Sequence, residues 1–407
     1  MATKNPDTVN IPVIDLSPSN PHASSELLDA AAYYGFVFIA NDPSTTGLST
    51  TEIDTIFSLS KKFFSSPTEI KEEVSIASNQ AGKNVGWLSQ GIEKLDPATQ
   101  KRPDIKEAFN IGEPIHNQLQ QPLPQPLKPH SQTLITFQNK CHALCQTILT
   151  HFATALEIEK DWFTTRHEQS KGPSGTVFRL LYYPAAAENP PTGGSETGDD
   201  IRAGAHSDFG SLTLLFQQRG QPGLEIRTSK GEWAAVPVDP SSRSSATHRQ
   251  HRASGDQDTP GEKPTAALPI LVNIGDLLED WTAGLLKSTV HRVIFPKQPH
   301  GENKAKVGKP GDDVDSGKGE GDGDSGGDRY SIAYFCHPLD EAELEPVPSR
   351  RVEEYAAAAA ATAAAGGGGK DGRSIDGLRR SVVKGDGRVM TARDHLMERL
   401  GATYTVK

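Results

Sequence analysis

The sequence contains few cysteines and no apolar stretch long enough to cross a membrane. Cys141, Cys145 and Cys336 are odd in number and form no C-x-x-C pair, a pattern that favours reduced thiols over a disulfide framework. The first residues, MATKNPDTVN, are polar and lack the apolar segment of a secretion signal. These absences predict a cytoplasmic protein with no membrane partner.

The chain also lacks an excess of positive charge. It has 42 lysines and arginines against 52 aspartates and glutamates, which gives a formal net charge of -10 at pH 7. No segment interleaves basic and aromatic side chains in the way that follows a phosphate backbone. The composition therefore argues against a nucleic acid as partner. A monomer is the expected state.

The first part of the chain has the pattern of a small α/β region. A strand, a helix and a strand are predicted from IPVIDL, SSELLDAAAYYG and FVFIA, with the helix ending at Gly35. A second helix is predicted over Thr51–Phe64, because apolar residues recur there at helical spacing and a proline follows.

A long helix is predicted between Pro129 and about Ile158. Apolar residues recur there at steps of three and four and form one stripe over several turns. Cys141 and Cys145 belong to the stripe, so their spacing favours core packing over metal binding. Such a helix is expected to cover one face of a sheet.

From about Thr176 the pattern changes to short strand-like segments separated by Gly, Pro and polar turns, as in an antiparallel jelly roll. The candidate strands are TVFRLLYYP, SLTLLFQQ, GLEIRTS, EWAAVPV, LPILVNIG, KSTVHRVIF and YSIAYFCH. Low-complexity sequence near 240–266 and 298–328 predicts flexible loops. The run AAAAAATAAA predicts a helix that the glycines after it end.

Two histidines and an aspartate form the most informative motif. His206 and Asp208 stand at i and i+2 in AGAHSDFGSLTLLF, and His291 follows in LLKSTVHRVIFP. Alternate side chains of a strand point the same way, so one strand could direct His206 and Asp208 at one metal. A second predicted strand would bring His291 to it. Two imidazoles and a carboxylate are a ligand set for iron(II) that leaves other coordination positions open.

An arginine and a serine form a second i, i+2 pair near the end of the barrel sequence. Arg329 and Ser331 lie on the strand-like segment RYSIAYFCHP. A guanidinium with a hydroxyl beside it offers a planar fork and one further donor, which suits a carboxylate. The pair is therefore a candidate carboxylate anchor.

The order of these motifs resembles that of the iron(II)/2-oxoglutarate-dependent dioxygenases of the isopenicillin N synthase-like family, and points to a fungal member. His-x-Asp, a distal His followed by Arg-Val, and Arg-x-Ser within RYSIAYF are all present. The segments IPVIDLS, AAYYGFVFI, GWLSQGIEKLDP, KRPDIKEAFNIGEP, RLLYYP and TARDHLMERLGATY are also similar to family segments and stand in family order. The resemblance covers nearly the whole chain.

The resemblance implies a site that uses Fe(II), with 2-oxoglutarate and O2 as cosubstrates. The implied metal ligands and catalytic residues are His206, Asp208 and His291. It further implies that Arg329 and Ser331 bind the far carboxylate of 2-oxoglutarate, with help from Tyr183. One position departs from the family, because Leu181 stands where an asparagine is usual. A contact to the cosubstrate is then missing.

The expected architecture is mixed α+β, with a double-stranded β-helix (jelly-roll) core that is backed by a long helix. The expected divisions are an N-terminal α/β region over 10–128, a jelly-roll domain over 129–341 and a C-terminal helical extension over 342–407. The expected reaction is hydroxylation, desaturation or cyclisation of a small organic molecule, coupled to decarboxylation of 2-oxoglutarate to succinate. Specialised metabolism is the setting that the resemblance implies.

Two alternatives stay open from sequence alone. Isopenicillin N synthase and aminocyclopropane-carboxylate oxidase share these motifs without using 2-oxoglutarate, so the chain could be an oxidase of that type. A jelly-roll binding protein that has lost its reaction is the other alternative. Retention of all three candidate ligands argues against this second alternative.

Overall fold

The computed structural model describes residues 8–76, 84–96, 100, 103–185, 200–243, 267–295, 327–364 and 387–403. Nearly all of the predicted loops near 240–266 and 298–328, and the glycines after the alanine run, lie outside these residues. No helix within these ranges is long and apolar enough to cross a membrane. All three cysteines are free and buried.

Helices occupy much of the first part of the chain and its C-terminal end. They are α1 (Ala23–Tyr34), α2 (Pro43–Thr46), α3 (Thr50–Phe64), α4 (Thr68–Glu72), α5 (Ser131–Ala155), α6 (Asp276–Trp281), α7 (Arg350–Ala364) and α8 (Ala392–Thr403). The predicted helices are α1, α3, α5 and, in the alanine run, α7. The start of α3 has a capping box in which Ser49 and Glu52 each accept from the other's backbone N–H.

Most of the strands lie close to the segments that the alternating pattern predicts, but the two strands within 84–112 were not predicted. The strands are β1 (Val13–Ile14), β2 (Phe36–Ile39), β3 (Gly86–Leu88), β4 (Glu107–Gly112), β5 (Val177–Tyr183), β6 (Asp200–His206), β7 (Leu212–Gln217), β8 (Leu224–Arg227), β9 (Trp233–Ala235), β10 (Ile270–Ile274), β11 (His291–Phe295) and β12 (Arg329–Cys336).

The described strands form two sheets. The larger sheet has eight strands in the order β1-β2-β10-β7-β12-β5-β4-β3, and the smaller has four in the order β6-β11-β8-β9. Only the β1–β2 pair is parallel among these strands. Consecutive strands β7 and β8 belong to different sheets, so the turn between them connects the two sheets. This is the architecture of a jelly roll with added α/β elements.

The larger sheet separates two apolar layers. One face packs against α1, α3 and α5, where Phe178, Leu180 and Tyr334 are fully buried. The opposite face turns Leu181 and Ala333 towards side chains of the smaller sheet. Because side chains alternate along a strand, each strand of the larger sheet contributes to both layers. The candidate site lies in the second layer, between the sheets.

Gly35 allows α1 to approach the segment that precedes β11. Its φ is 68°, and a Cβ built there would lie 2.3 Å from the carbonyl oxygen of Lys287 and 2.3 Å from Oγ1 of Thr289. Thr289 donates its hydroxyl to the carbonyl of Tyr34 at 2.8 Å. This contact holds the chain two residues before His291, where β11 begins.

Replacing Gly35 by alanine is expected to lower the free energy of unfolding by about 2–4 kcal/mol, since left-handed backbone strain and a backbone clash add together. Denaturant unfolding followed by circular dichroism measures this change. Gly47→Ala is the matched control, because Gly47 has a φ of 72° but no atom within 4 Å of the point that a Cβ would occupy. It should lower stability by only about 1 kcal/mol. Equal effects of the two changes would contradict the close contact at Gly35.

Candidate metal centre and active site

The two sheets bring His206, Asp208 and His291 together at one point. His206 and His291 are direct partners in the β6–β11 register, and their ring centroids are 4.3 Å apart. Oδ1 of Asp208 lies 3.9 Å from Nε2 of His206 and 3.8 Å from Nε2 of His291. All three candidate ligand atoms lie within 4.8 Å of one another. The three side chains could therefore reach a single metal ion.

Hydrogen bonds orient both imidazole rings. Nδ1 of His206 lies 2.7 Å from the carbonyl oxygen of Gly204, and Nδ1 of His291 lies 3.1 Å from that of Thr289. A carbonyl can only accept, so each Nδ1 carries the proton in the neutral ring. Nε2 of each ring is then unprotonated and faces the other two groups. This tautomer is the one in which Nε2 can bind a metal.

Asp208 is held as a carboxylate by two polar neighbours. Its Oδ2 accepts from Oγ1 of Thr213 at 2.6 Å and from Nδ2 of Asn273 at 2.7 Å. Burial raises the pKa of Asp208, but the two histidines and these hydrogen bonds outweigh burial and hold its pKa below the ordinary value. Oδ1 is left facing the histidines. The arrangement supplies one anionic ligand atom of fixed orientation.

Burial, followed by the neighbouring His291, lowers the pKa of His206 to about 4, against the opposing effect of Asp208. The ring is therefore neutral near pH 7. Two imidazole nitrogens and one carboxylate oxygen are donors that suit a divalent first-row metal such as iron(II). The donor chemistry of the site thus fits the metal that the sequence motif predicts.

The prediction that one extended strand carries both His206 and Asp208 is wrong in one respect. Strand β6 ends at His206, and Asp208 lies in the turn that follows. Backbone carbonyls of this turn accept from the start of α6, with Asp276 N–H donating to the carbonyl of Asp208 at 2.8 Å. The two side chains still converge, but a turn sets their orientation.

Arg329 and Ser331 lie on the inner face of β12, where they line the same cavity as the three candidate ligands. Nη1 of Arg329 lies 3.4 Å from Oγ of Ser331, and its guanidinium lies 5.0 Å from the centre of the Tyr183 ring. Arg329 is 3% exposed. Burial lowers its pKa, against the opposing effect of Tyr183.

Within the described residues, no carboxylate lies within ion-pair distance of Arg329. Its Nε donates to the carbonyl of Gln221 at 3.3 Å, so its nearest partners are neutral groups. A buried cation with neutral partners is unfavourable unless an anion joins it. Leu181, the departure from the family pattern, pairs with Ser331 across β5 and β12 and faces the cavity. It adds an apolar wall beside the anchor.

The C-terminal helix α8 closes another side of the cavity. Its Leu396 and Leu400 line the cavity. Arg399 on the same helix lies 3.1 Å from Oγ of Ser207, the residue between His206 and Asp208. Its guanidinium also lies 4.6 Å from the centre of the Phe209 ring. The helix is thus attached directly to the turn that carries a candidate ligand.

Sequence reasoning missed Thr213, Asn273 and Arg399. Threonine and asparagine on strands carry no motif, and only the pairing of β7 with β10 shows that Thr213 and Asn273 face each other. Arg399 lies in a segment similar to the family, but its contact with the turn depends on the tertiary fold. The only local signal for Thr213 and Asn273 was a polar residue within an otherwise apolar strand.

Known proteins are similar to this chain in sequence and fold. A profile described as the N-terminal region of non-haem dioxygenases in morphine synthesis matches residues 11–133. The UPF0676 protein C1494.01 of Schizosaccharomyces pombe is 32% identical over 345 residues, which are 84% of this chain and 85% of the relative. The 2-oxoglutarate-dependent dioxygenase htyE of Aspergillus rugulosus is 26% identical, over 80% of this chain and 84% of its own.

A solved structure supports the same assignment. A full-length Neurospora crassa protein, crystallised in complex with alpha-KG and thymine, is similar with a TM-score of 0.63 and 25% identity, over 98% of both chains. The chain belongs to the iron(II)/2-oxoglutarate-dependent dioxygenases. The resemblance inferred from its motifs, including the fungal type, is confirmed.

Replacing Thr213 by valine is expected to weaken iron binding by about 10–100-fold, because removing a hydrogen bond to a ligating group has effects of this size. Anaerobic titration with Fe(II) measures the dissociation constant. Thr228→Val is the matched control, since the Thr228 hydroxyl is buried without a hydrogen-bond partner among the described residues. Identical iron affinities of the two variants would contradict a role of Thr213 in holding Asp208.

Proposed function

We propose that this chain binds Fe(II) through His206, Asp208 and His291 and uses it to oxidise a small organic molecule with 2-oxoglutarate and O2. The convergence of the three ligand atoms within 4.8 Å carries this proposal. The products include succinate and carbon dioxide, which both come from 2-oxoglutarate. Hydroxylation, desaturation and cyclisation of the substrate are all compatible with the site.

His206, Asp208 and His291 would hold the iron(II), which would supply the chemistry of O2 activation, while the protein positions the reactants. His206 and His291 offer neutral nitrogen atoms through the Nδ1 hydrogen bonds to backbone carbonyls. Thr213 and Asn273 keep Asp208 ionised and turn its Oδ1 towards the metal position. The ligand set is therefore arranged before the metal arrives.

Arg329 and Ser331 would bind the far carboxylate of 2-oxoglutarate. The buried guanidinium has neutral partners within the described residues, so a dicarboxylate would supply the missing negative charge. Tyr183 would contact the cosubstrate beside them, since its ring lies next to the guanidinium. The apolar walls from Leu181, and from α8 on the other side, would exclude water.

A small molecule of specialised metabolism is the proposed substrate class. This proposal is supported by the similarity of the chain to a fungal 2-oxoglutarate-dependent dioxygenase, which aligns with 80% of this chain. Phe209, Phe335 and Leu396 line the cavity away from the anchor. These side chains would contact the apolar part of such a substrate.

The proposed function is tested by substrate-stimulated release of succinate. The full chain is supplied with Fe(II), 2-oxoglutarate and O2, and candidate metabolites are screened for stimulation above the background rate. Asp208→Ala is the control, because it should abolish stimulation through loss of the metal. Oxidation of a metabolite without succinate formation would instead support an oxidase of the isopenicillin N synthase type. Absence of a visible charge-transfer band with iron and 2-oxoglutarate would contradict the proposed site itself.

Replacing Arg329 by methionine is expected to raise the 2-oxoglutarate concentration for half-maximal binding by about 10–100-fold, the usual effect of losing a hydrogen-bonded charged group. Iron binding should not change. Anaerobic titrations with Fe(II) and with 2-oxoglutarate, the second followed by the charge-transfer band, measure the two affinities separately. Arg227→Met is the control, since Arg227 lies on an exposed position of β8. Unchanged cosubstrate affinity in Arg329→Met would refute the anchor.

A further inference from the structure

A second group of charged side chains lies in the cavity, apart from Arg329. Arg179, Glu93 and Lys106 line the cavity, and their exposed fractions are only 9%, 4% and 4%. Nη1 of Arg179 lies 3.2 Å from Oε1 of Glu93, and Nζ of Lys106 lies 3.2 Å from Oε2 of Glu93. Lys106 also pairs with Asp104. We call these four residues the charged array.

Arg179, one member of the array, lies apart from the cosubstrate anchor along β5. On β5, Tyr183 pairs with Arg329, whereas Arg179 pairs with Ala333. Four residues of strand separate the two positions, which corresponds to about 13 Å. The guanidinium of Arg179 lies 5.4 Å from the centre of the Phe335 ring. Arg179 therefore faces a part of the cavity that the anchor does not reach.

The geometry of the array is fixed by further hydrogen bonds. Nε of Arg179 donates to Oδ1 of Asn110 at 2.6 Å, and Nδ2 of Asn110 donates to Oδ1 of Asn84 at 2.9 Å. Burial lowers the pKa of Lys106, but the carboxylates of Glu93 and Asp104 outweigh burial and raise it above its ordinary value. Lys106 therefore keeps its charge, and the array presents a guanidinium next to a carboxylate in a fixed arrangement.

The charges in the cavity balance without a charged substrate. Within the array, Arg179 and Lys106 offset Glu93 and Asp104. In the proposed cosubstrate site, the iron and Arg329 together carry three positive charges, which Asp208 and the two carboxylates of 2-oxoglutarate offset. A substrate with a net charge would then be buried without a counter-ion, which is strongly unfavourable.

From this balance and geometry we infer that the substrate is an uncharged molecule with an amide-type edge, which binds to Arg179 and Glu93. Its carbonyl oxygen accepts from the guanidinium, and its adjacent N–H donates to the carboxylate. The remainder of the substrate contacts Phe335 and Leu396, which line the same cavity. This inference rests on the proposed function and adds the chemical class of the substrate.

The test compares compounds that share one carbon skeleton and differ only in a primary amide, a carboxylate or an amine. Several such sets are assayed with the full chain, Fe(II) and 2-oxoglutarate, and stimulated succinate release gives kcat/KM for each compound. The wild-type protein should prefer the amide over both charged compounds by at least about tenfold, the usual effect of an unpaired buried charge. Preference for an acid or an amine would overturn the inference.

Two variants that each remove one charge test whether the array sets this preference. Glu93→Gln leaves an excess positive charge and should shift the ratio of kcat/KM towards the carboxylate by about tenfold or more. Arg179→Gln leaves an excess negative charge and should shift the ratio towards the amine. A purely structural array would lower the rates with all three compounds equally. Unchanged ratios would therefore overturn the inference.

Two further variants serve as controls. The double variant Arg179→Gln with Glu93→Gln restores neutrality, so its preference for the uncharged compound should return even where a single variant fails to fold. Arg202→Gln removes a buried arginine that does not line the cavity and should leave the ratios as in wild type. A double variant that prefers a charged compound would overturn the inference.

The charge-transfer band separates failure of this inference from failure of the proposed function. If iron and 2-oxoglutarate produce the band but no uncharged amide stimulates succinate release, the substrate class is wrong and the cosubstrate site stands. If the band itself does not form, the proposed function fails, and the inference fails with it.

Discussion

The candidate site depends on a close backbone contact between the turn after β6 and the start of α6. A Cβ built on Gly275 would lie 2.1 Å from the carbonyl oxygen of Gly210, and Asp276 N–H donates to the carbonyl of Asp208 at 2.8 Å. Residue 275 has to be glycine, because the two backbones could not come so close with a side chain at that position. The contact ends β6 at His206 and takes the chain across to the larger sheet. Asp208 lies in this crossing, within reach of residues from both sheets.

The position of Asp208 between the two sheets also shows how an apolar core can hold charged groups. Asp208 is buried with hydrogen bonds from Thr213 and Asn273 on the larger sheet and faces two histidines on the smaller one. Each buried charge of the charged array likewise has an opposite charge beside it. Arg329 differs, because its partners within the described residues are neutral. The anchor is thus the position where a bound anion would contribute most.

Local patterns predicted most of the strands and the candidate ligands, because residue type and i, i+2 spacing are properties of a short segment, but they missed β3 and β4. They could not predict which strands are neighbours, so the placement of β7 and β8 in different sheets came only from the structure. The end of β6 at His206 was missed for the same reason, since hydrogen bonds from the distant α6 cause it. Arg179 and Glu93 were missed because no motif marks them, and only tertiary packing pairs them.

Alternation along β12 couples the stability of the fold to the shape of the site. Ile332 and Tyr334 are fully buried in the layer beneath the helices, whereas Ser331 and Ala333 face the cavity. A slip of one residue in the register would turn Arg329 into the helical layer and the large ring of Tyr334 into the cavity. Burial of large apolar side chains under the helices therefore opposes such a slip. The same packing that stabilises the sheet holds the anchor towards the metal ligands and leaves space for a substrate beside Ala333.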